Sequence, residues 1–417
     1  MLNLREVVAA LVIFIATYLF IAGTELPFLK LDRPGGAVAG GVAMVAAGVL
    51  TPEQVYKDAI NWDTIVLLLG MMVITSVMAR AAIFRWIAWA ALRRAHGPRM
   101  LLAVLVVVAG GLSALLVNDT ICVMCTPLVL ALVEAAGLPP LPYLLALAFA
   151  SNAGSVATLT GNPQNMLIGT LSGIPYAHFS KMLVLPALLA LACVLAVLLV
   201  VFRRDLAEKK IIFAEAPEPP LDRRLAVLCV LALAFVITGF FRGHSLSWTA
   251  MIGAGLLLVF SRQPPKEMFA QVDGTLLLFF AGLFVVTHGV AQAGITERIH
   301  DTLAPLFGDD AMHQTFRFGL FTVAACQLVS NVPFVLLAAH WVPRLADPHL
   351  GWLSLALVST LAGNLTPVAS VANLIVLELA GSKGKIPFLR FLAIGALCTF
   401  LPLALGLACL LLERKAF

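Results

Sequence analysis

Residues 361–378 read LAGNLTPVASVANLIVLE and lie inside one of the most apolar regions of the chain. Asn364, Thr366, Pro367, Ser370 and Asn373 fall close together there, and the sequence then returns to Leu-Ile-Val-Leu. A helix crossing hydrocarbon must satisfy every backbone N–H and C=O internally, so a break filled with amides and hydroxyls is tolerated only where it is buried or lines a cavity. Proline removes a helical donor and clashes with the preceding turn. The segment therefore reads as a broken membrane helix. Its polar side chains either satisfy the freed backbone or hold a ligand.

The rest of the chain supports a membrane setting. Of 417 residues, 61% are hydrophobic and 12% charged. Apolar runs long enough to cross ~30 Å of hydrocarbon recur throughout. The net charge of +5 comes from basic residues flanking apolar spans rather than from a basic stripe, which argues against nucleic acid as a partner. The seven cysteines lie mostly within apolar runs and do not suggest a disulfide framework. Residues 7–23 lack a convincing small-residue cleavage site and are read as a span rather than a leader. No Walker sequence, HExxH or nucleophile elbow appears. The expectation is a protein that is not an enzyme, with no cofactor and no resident metal, driven by the gradient of a coupling ion.

Crossings are expected at about 7–23, 35–51, 63–79, 142–172, 181–202, 224–241, 247–261, 274–292, 350–381 and 388–412, with interrupted segments at 100–137 and 315–346. AAIFRWIAWAALRRAHG (81–97) is basic and amphipathic, as an interfacial helix would be. The halves match in order. NWDTIVLLLGMM (61–72) answers QVDGTLLLFFAGLF (271–284), Val117-Asn118-Asp119-Thr120 answers Ser330-Asn331-Val332-Pro333, and the span holding Asn152 and Asn165 answers the one holding Asn364 and Asn373.

The fold class is thus an all-α polytopic membrane protein of two inverted repeats, 1–202 and 224–417, joined by a cytoplasmic linker at 203–223. Each repeat has about five crossings, a hairpin (100–137 or 315–346) and a broken helix (142–172 or 350–381). Five crossings is an odd number, so the repeats run in opposite directions, the plan of secondary transporters whose site lies where broken segments meet. With both termini outside, loops 24–34, 80–99, 203–224, 262–271 and 382–390 face the cytoplasm and hold most of the 27 basic residues. The expected location is a prokaryotic plasma membrane.

The candidate binding residues are Asn118, Thr120, Asn152, Ser155, Thr158, Asn165, Ser330, Asn331, Asn364, Thr366, Ser370 and Asn373. Asp119 is the one carboxylate expected near the midplane. A charge there is costly to keep, which suits reversible protonation. Asp63 and Asp273 begin corresponding spans and read as caps, while Glu134 and Glu378 are weaker coupling candidates. His288 is read as packing within an apolar span. Cys122 and Cys125 read as small apolar residues; the sharper alternative is a soft-ion pair with Cys326. Gly36-Ala-Val-Ala-Gly40 permits close helix approach, within one subunit or across a homodimer.

In SNAGSVATLTGNPQNMLIG (151–169), AGNLTPVASVANLIVLE (362–378), LLVNDTICVMCTP (115–127) and LVSNVPFVLL (328–337), the chain resembles the arsenite and antimonite efflux permeases of the ion transporter superfamily. The resemblance covers nearly the whole chain. It implies a fixed scaffold, a transport part made of two re-entrant hairpins and two broken helices, and elevator-like movement. Dicarboxylate carriers of this superfamily carry Ser-Asn-Thr at the hairpin tips. Asp119 departs from that pattern and would repel an anion.

Arsenous acid is a neutral trihydroxide, which Asn, Ser and Thr suit as donors and acceptors. Exchange with inward protons, carried by Asp119, would drive a neutral substrate outward. Two readings compete. One is a sodium/proton antiporter, with Asp119 and broken-helix carbonyls around sodium. The other is a metalloid conduit that needs a cytosolic ATPase, for which loop 203–224 offers a basic docking surface.

Overall fold

The computed structural model describes residues 3–22, 32–207, 218–270 and 272–414. These form twenty α-helices, two of which, Pro52–Gln54 and Pro265–Phe269, are little more than single turns; the other eighteen fall into two sets of nine in the same order. In the first set, α1 (Leu4–Ala22), α2 (Arg33–Ala46) and α3 (Trp62–Arg80) precede a short amphipathic α4 (Ile83–Leu92). The hairpin α5 (Pro98–Leu115) and α6 (Asn118–Ala135) follows. Then come the broken pair α7 (Leu141–Ser155) and α8 (Pro163–Ser172), and the closing α9 (Tyr176–Val201).

The second set repeats this plan. It runs α10 (Arg223–Phe241), α11 (Leu246–Phe260), α12 (Gly274–Gln292) and the amphipathic α13 (Ile295–Phe307). The hairpin α14 (Ala311–Val329) and α15 (Asn331–Ala338), the broken pair α16 (Pro348–Ala362) and α17 (Val371–Ala380), and α18 (Phe388–Arg414) complete it. Even the single turns correspond, each lying between the second and third helix of its set. Among the described residues eight helices are long and apolar enough to cross a membrane. The protein is an all-α integral membrane protein of two inverted repeats.

Short polar residues start the helices. Asn61, Asp222, Asp273 and Asp347 each accept a hydrogen bond from a backbone N–H three residues on, as N-caps do. Asp273 is thus the cap that the sequence suggests. Asp63 is not, because Asn61 caps α3 and Asp63 accepts a 2.6 Å hydrogen bond from Ser247 Oγ of α11. The amphipathic helices α4 and α13 are both entered through a left-handed residue, Ala82 (φ 61°) and Gly294 (φ 68°). Glycine takes that conformation freely, whereas alanine pays roughly 1–2 kcal/mol for it.

Packing repeats with the helices exchanged between halves. Helix α2 packs on α12, and its counterpart α11 packs on the counterpart α3. Close approach has the same cause in both pairs. A Cβ on Gly282 would fall 2.5 Å from the carbonyl carbon of Ala37, and one on Gly70, at the matching place in α3, would fall 2.8 Å from that of Ala250. The Gly36–Gly40 segment is therefore used inside the subunit. These helices, with α1 and α10, make one body. The hairpins and broken pairs make the other: α5 packs on α7 as α14 does on α16, α17 on α6 and α7, α8 on α15 and α16, and α9 on α18.

Three sequence expectations are adjusted. Residues 23–31 and 208–217, which carry much of loops 24–34 and 203–224 and of the 203–223 linker, lie outside the described residues. The second hairpin is lopsided, since α15 has 8 residues against 18 in α6 and gives way to a tight turn at Val342–Arg344. The prolines do not break a continuing ladder. Pro163 is the first residue of α8, where its missing N–H costs nothing, and Pro367 opens a single 3-10 turn before α17.

Candidate functional site

The two breaks meet at the centre of the second body, and each is closed by one asparagine. Helix α7 ends at Ser155 and α16 at Ala362, leaving terminal carbonyls without helical partners. Asn165 Nδ2 donates to the carbonyls of Ser155 (3.1 Å) and Thr158 (3.0 Å). Asn373 Nδ2 donates to the carbonyls of Gly363 (2.7 Å) and Thr366 (3.2 Å). In both cases the acceptors lie 10 and 7 residues earlier in the chain. Both asparagines are fully buried.

The same register pairs Asn152 with Thr360 and Asn162 with Ser370, not Asn152 with Asn364. The bonds between repeats obey it. Asn152 Oδ1 accepts from Asn118 Nδ2 (3.0 Å) and Ser370 Oγ (3.1 Å), while its Nδ2 donates to Asn364 Oδ1 (2.9 Å) and Asn373 Oδ1 (3.4 Å). In the mirror position, Thr360 Oγ1 accepts from Asn162 Nδ2 (3.1 Å) and Gln164 Nε2 (3.5 Å). Asn152 is thus the hub of a network drawn from the first hairpin tip and both breaks.

The hairpin tips reach the breaks at equivalent points. The backbone N–H of Asn118 donates to the Gly161 carbonyl (2.9 Å), and Ser330 Oγ donates to the Ala369 carbonyl (3.2 Å). Each acceptor directly precedes the N-cap of the second half-helix. Ser330 pays for its place with φ 70° and ψ 166°, a conformation that costs a non-glycine residue roughly 1–3 kcal/mol. Asn331 follows it against bare backbone: a Cβ on Gly363 would stand 3.0 Å from Asn331 Nδ2 and 2.9 Å from Ser370 Cβ. Gly363→Ala should therefore push hairpin and break apart and sharply reduce transport, while the folded protein still purifies as a single species. Wild-type transport rates would show that this contact is dispensable.

Three buried side-chain oxygens here have no donor among the described residues: Asn118 Oδ1, Asn165 Oδ1 and Asn331 Oδ1. Asn118 and Asn331 hold the same place in their hairpins, at the first residue of α6 and of α15. Among the described residues, the buried polar side chains include no lysine or arginine.

The remaining candidates are placed as follows. Ser155 Oγ donates to the Asn152 carbonyl (2.8 Å) and accepts from Asn162 Nδ2 (2.8 Å). Thr158 Oγ1 donates to the Ala114 carbonyl (2.5 Å), which ties the break to the hairpin limb, and Thr366 Oγ1 donates to Gln327 Oε1 (2.8 Å). Thr120 and Asp119 are half-buried beside the first tip. Among the described residues Asp119 has no hydrogen-bond or ion-pair partner.

Glu134 is tied to Lys383 in an ion pair, which leaves it poorly suited to coupling. Cys122 Sγ lies 3.1 Å from Ser151 Oγ. No group of three or more His, Cys, Asp and Glu side chains that could hold a metal gathers among the described residues, so Cys326 does not join the pair.

Sequence reasoning missed Asn162, Gln164, Thr360 and Gln327. An asparagine directly before a proline at a helix start is a capping signal, and Asn162 does accept from the Asn165 N–H (2.8 Å). Thr360 has no such signal, because it sits inside an apolar run and only the register of the repeat reveals it. A second feature escaped notice. An open cavity of about 540 Å³ lies between the two bodies, lined among others by Asp58, Asp63, Ser247, His288 and His340.

Residues 10–362 match the citrate transporter (CitMHS) family. The silicon efflux transporter LSI3 of Oryza sativa subsp. japonica is 30% identical, with 91% of each chain covered. The arsenical pump membrane protein of Escherichia coli is 23% identical over 83% of this chain and 85% of that protein. Among solved structures, the Alcanivorax borkumensis YdaH transporter superposes with a TM-score of 0.61 at 15% identity, covering 99% of this chain and 98% of that one, a likeness of fold. Repeat order, broken helices and a match across most of the length agree, and the chain belongs to the citrate transporter family of membrane transporters.

Proposed function

We propose that this protein is a secondary exporter of trivalent metalloids, arsenite and antimonite, taken as neutral trihydroxides and exchanged for protons. The observation carrying this reading is the set of three buried amide oxygens without donors. A buried acceptor left unpaired costs roughly 1–3 kcal/mol, and a hydroxylated substrate brings the O–H donors that relieve it. A carboxylate brings only acceptors, so citrate, with its single hydroxyl, would leave at least two of these oxygens unpaired, and among the described residues it would find no buried lysine or arginine to meet its charge. The efflux relatives fit this chemistry, since arsenic(III) and silicon both dissolve as neutral polyhydroxides near neutral pH.

The sodium antiporter is the weaker reading. The break carbonyls that would ring a cation are already engaged by Asn165 and Asn373. In the proposed cycle the hairpins and broken pairs move as a unit against α1–α3 and α10–α12. Among the described residues few polar bonds hold the two bodies together; Tyr18 Oη to the Pro333 carbonyl (2.9 Å) and Thr64 Oγ1 to Thr170 Oγ1 (2.7 Å) are two that must break.

The test uses purified protein in liposomes holding a pH-sensitive dye, with no ATP. Arsenite, antimonite, citrate and sodium are added outside in turn. Proton flux is expected with arsenite and antimonite only. Flux with citrate or sodium alone would overturn the reading.

A further inference from the structure

The cavity between the bodies contains titratable groups that the central network does not use. Its walls bring together elements far apart in sequence. From the body of α1–α3 and α10–α12 come Asp58 in the turn before α3, Asn61 and Asp63 at the start of α3, Ser247 at the start of α11, and Thr287 and His288 on α12. From the body of hairpins and breaks come Leu171 of α8, Leu336 of α15, and His340 just beyond α15. The charged or titratable lining groups are thus Asp58, Asp63, His288 and His340, and α8 and α11 add none. Asp63 is engaged by Ser247.

His340 is exposed, and its Nδ1 lies 3.2 Å from the Leu336 carbonyl. A carbonyl can only accept, so Nδ1 carries the hydrogen and Nε2 keeps its lone pair free. His288 is half-buried on the opposing body, with no hydrogen-bond partner among the described residues. Asp58, exposed in the same cavity, has no hydrogen-bond partner among the described residues, unlike Asp63. One free carboxylate can balance one added positive charge there.

We propose that this cavity is the proton-loading site of the exchange cycle, with Nε2 of His340 taking a proton from water and His288 and Asp58 setting its affinity. The proposal rests on the proton-exchange reading above. The cavity opens where α3 and α11 begin, at the end opposite Arg80, which closes α3 and pairs with Glu267. By the distribution of basic residues this is the outer face, where inward-moving protons are captured. Because His340 travels with the hairpin and His288 stays on α12, movement between the bodies would separate the pair and change the proton affinity between the two states.

The experiment measures arsenite transport in liposomes two ways: counterflow without a gradient, and gradient-driven flux against external pH between about 5 and 8, the histidine range. His340→Gln, His288→Gln and Asp58→Asn are compared with wild type. Gradient-driven flux should fall in His340→Gln by about tenfold more than counterflow does, the equivalent of one pH unit of proton affinity. Its dependence on external pH should flatten. Asp58 is exposed, so its variant should fold, and its pH profile should move to lower pH. A responsive wild type whose profile is unchanged in all three variants overturns the cavity assignment alone. A wild type with arsenite counterflow but no pH response overturns proton exchange and this site with it.

Discussion

Asn165→Ala and Asn373→Ala should each abolish transport, to a similar extent, in protein that remains folded. Each asparagine donates to two carbonyls at the end of a half-helix. Removing the amide orphans both, at roughly 1–3 kcal/mol apiece in a buried setting. A total of about 2–6 kcal/mol lies within the stability of a typical domain, and the frame helices do not depend on these bonds. The breaks should therefore deform while the fold persists. Asn→Asp at either position keeps the shape and loses the donor, so it should fail in the same way. Arsenite counterflow and thermal unfolding of the purified variants check this. Normal transport in either alanine variant would remove that break from the site. A large loss in one repeat only would show that the repeats do not share the work.

Asp119→Asn keeps the shape of the first hairpin tip and removes its titratable proton. The carboxylate is half-buried and unpartnered among the described residues, one residue beyond the Asn118 that feeds the central network. An unpaired charge in this setting is costly, and taking up a proton relieves the cost. Gradient-driven uptake of arsenite into everted vesicles should be lost in the variant, while arsenite-for-arsenite counterflow falls far less. Unchanged gradient-driven uptake would refute the role of Asp119. Loss of both activities together would reassign it to substrate binding.

Much of the fold was legible in the chain because a bilayer leaves so few solutions. Apolar runs had to be helices, and polar clusters inside them had to be buried breaks. The order of elements in each repeat follows from those two facts, as does the segregation of Asn118, Asn152, Asn165, Asn331, Asn364, Ser370 and Asn373 into the centre. Side-chain roles were less legible. Asn165 and Asn373 read as substrate ligands, yet their amides serve the backbone. Thr360 and Asn162 were missed altogether, yet they bond to each other across the two breaks. Glu134 looked like a coupling candidate until Lys383 came to it from 249 residues away.

The sequence by itself determined the class of protein, the repeat and the segments that carry the candidate site, since these depend on local apolarity and on the cost of bare backbone in hydrocarbon. Only the tertiary structure decided the residue register, in which Asn152 answers Thr360. It alone set which amides serve the chain and which oxygens are left without a donor, and it alone brought His288 to a cavity shared with His340. Hydrogen bonds are settled by distances between atoms of segments remote in sequence, and those distances exist only once the two halves have closed on each other.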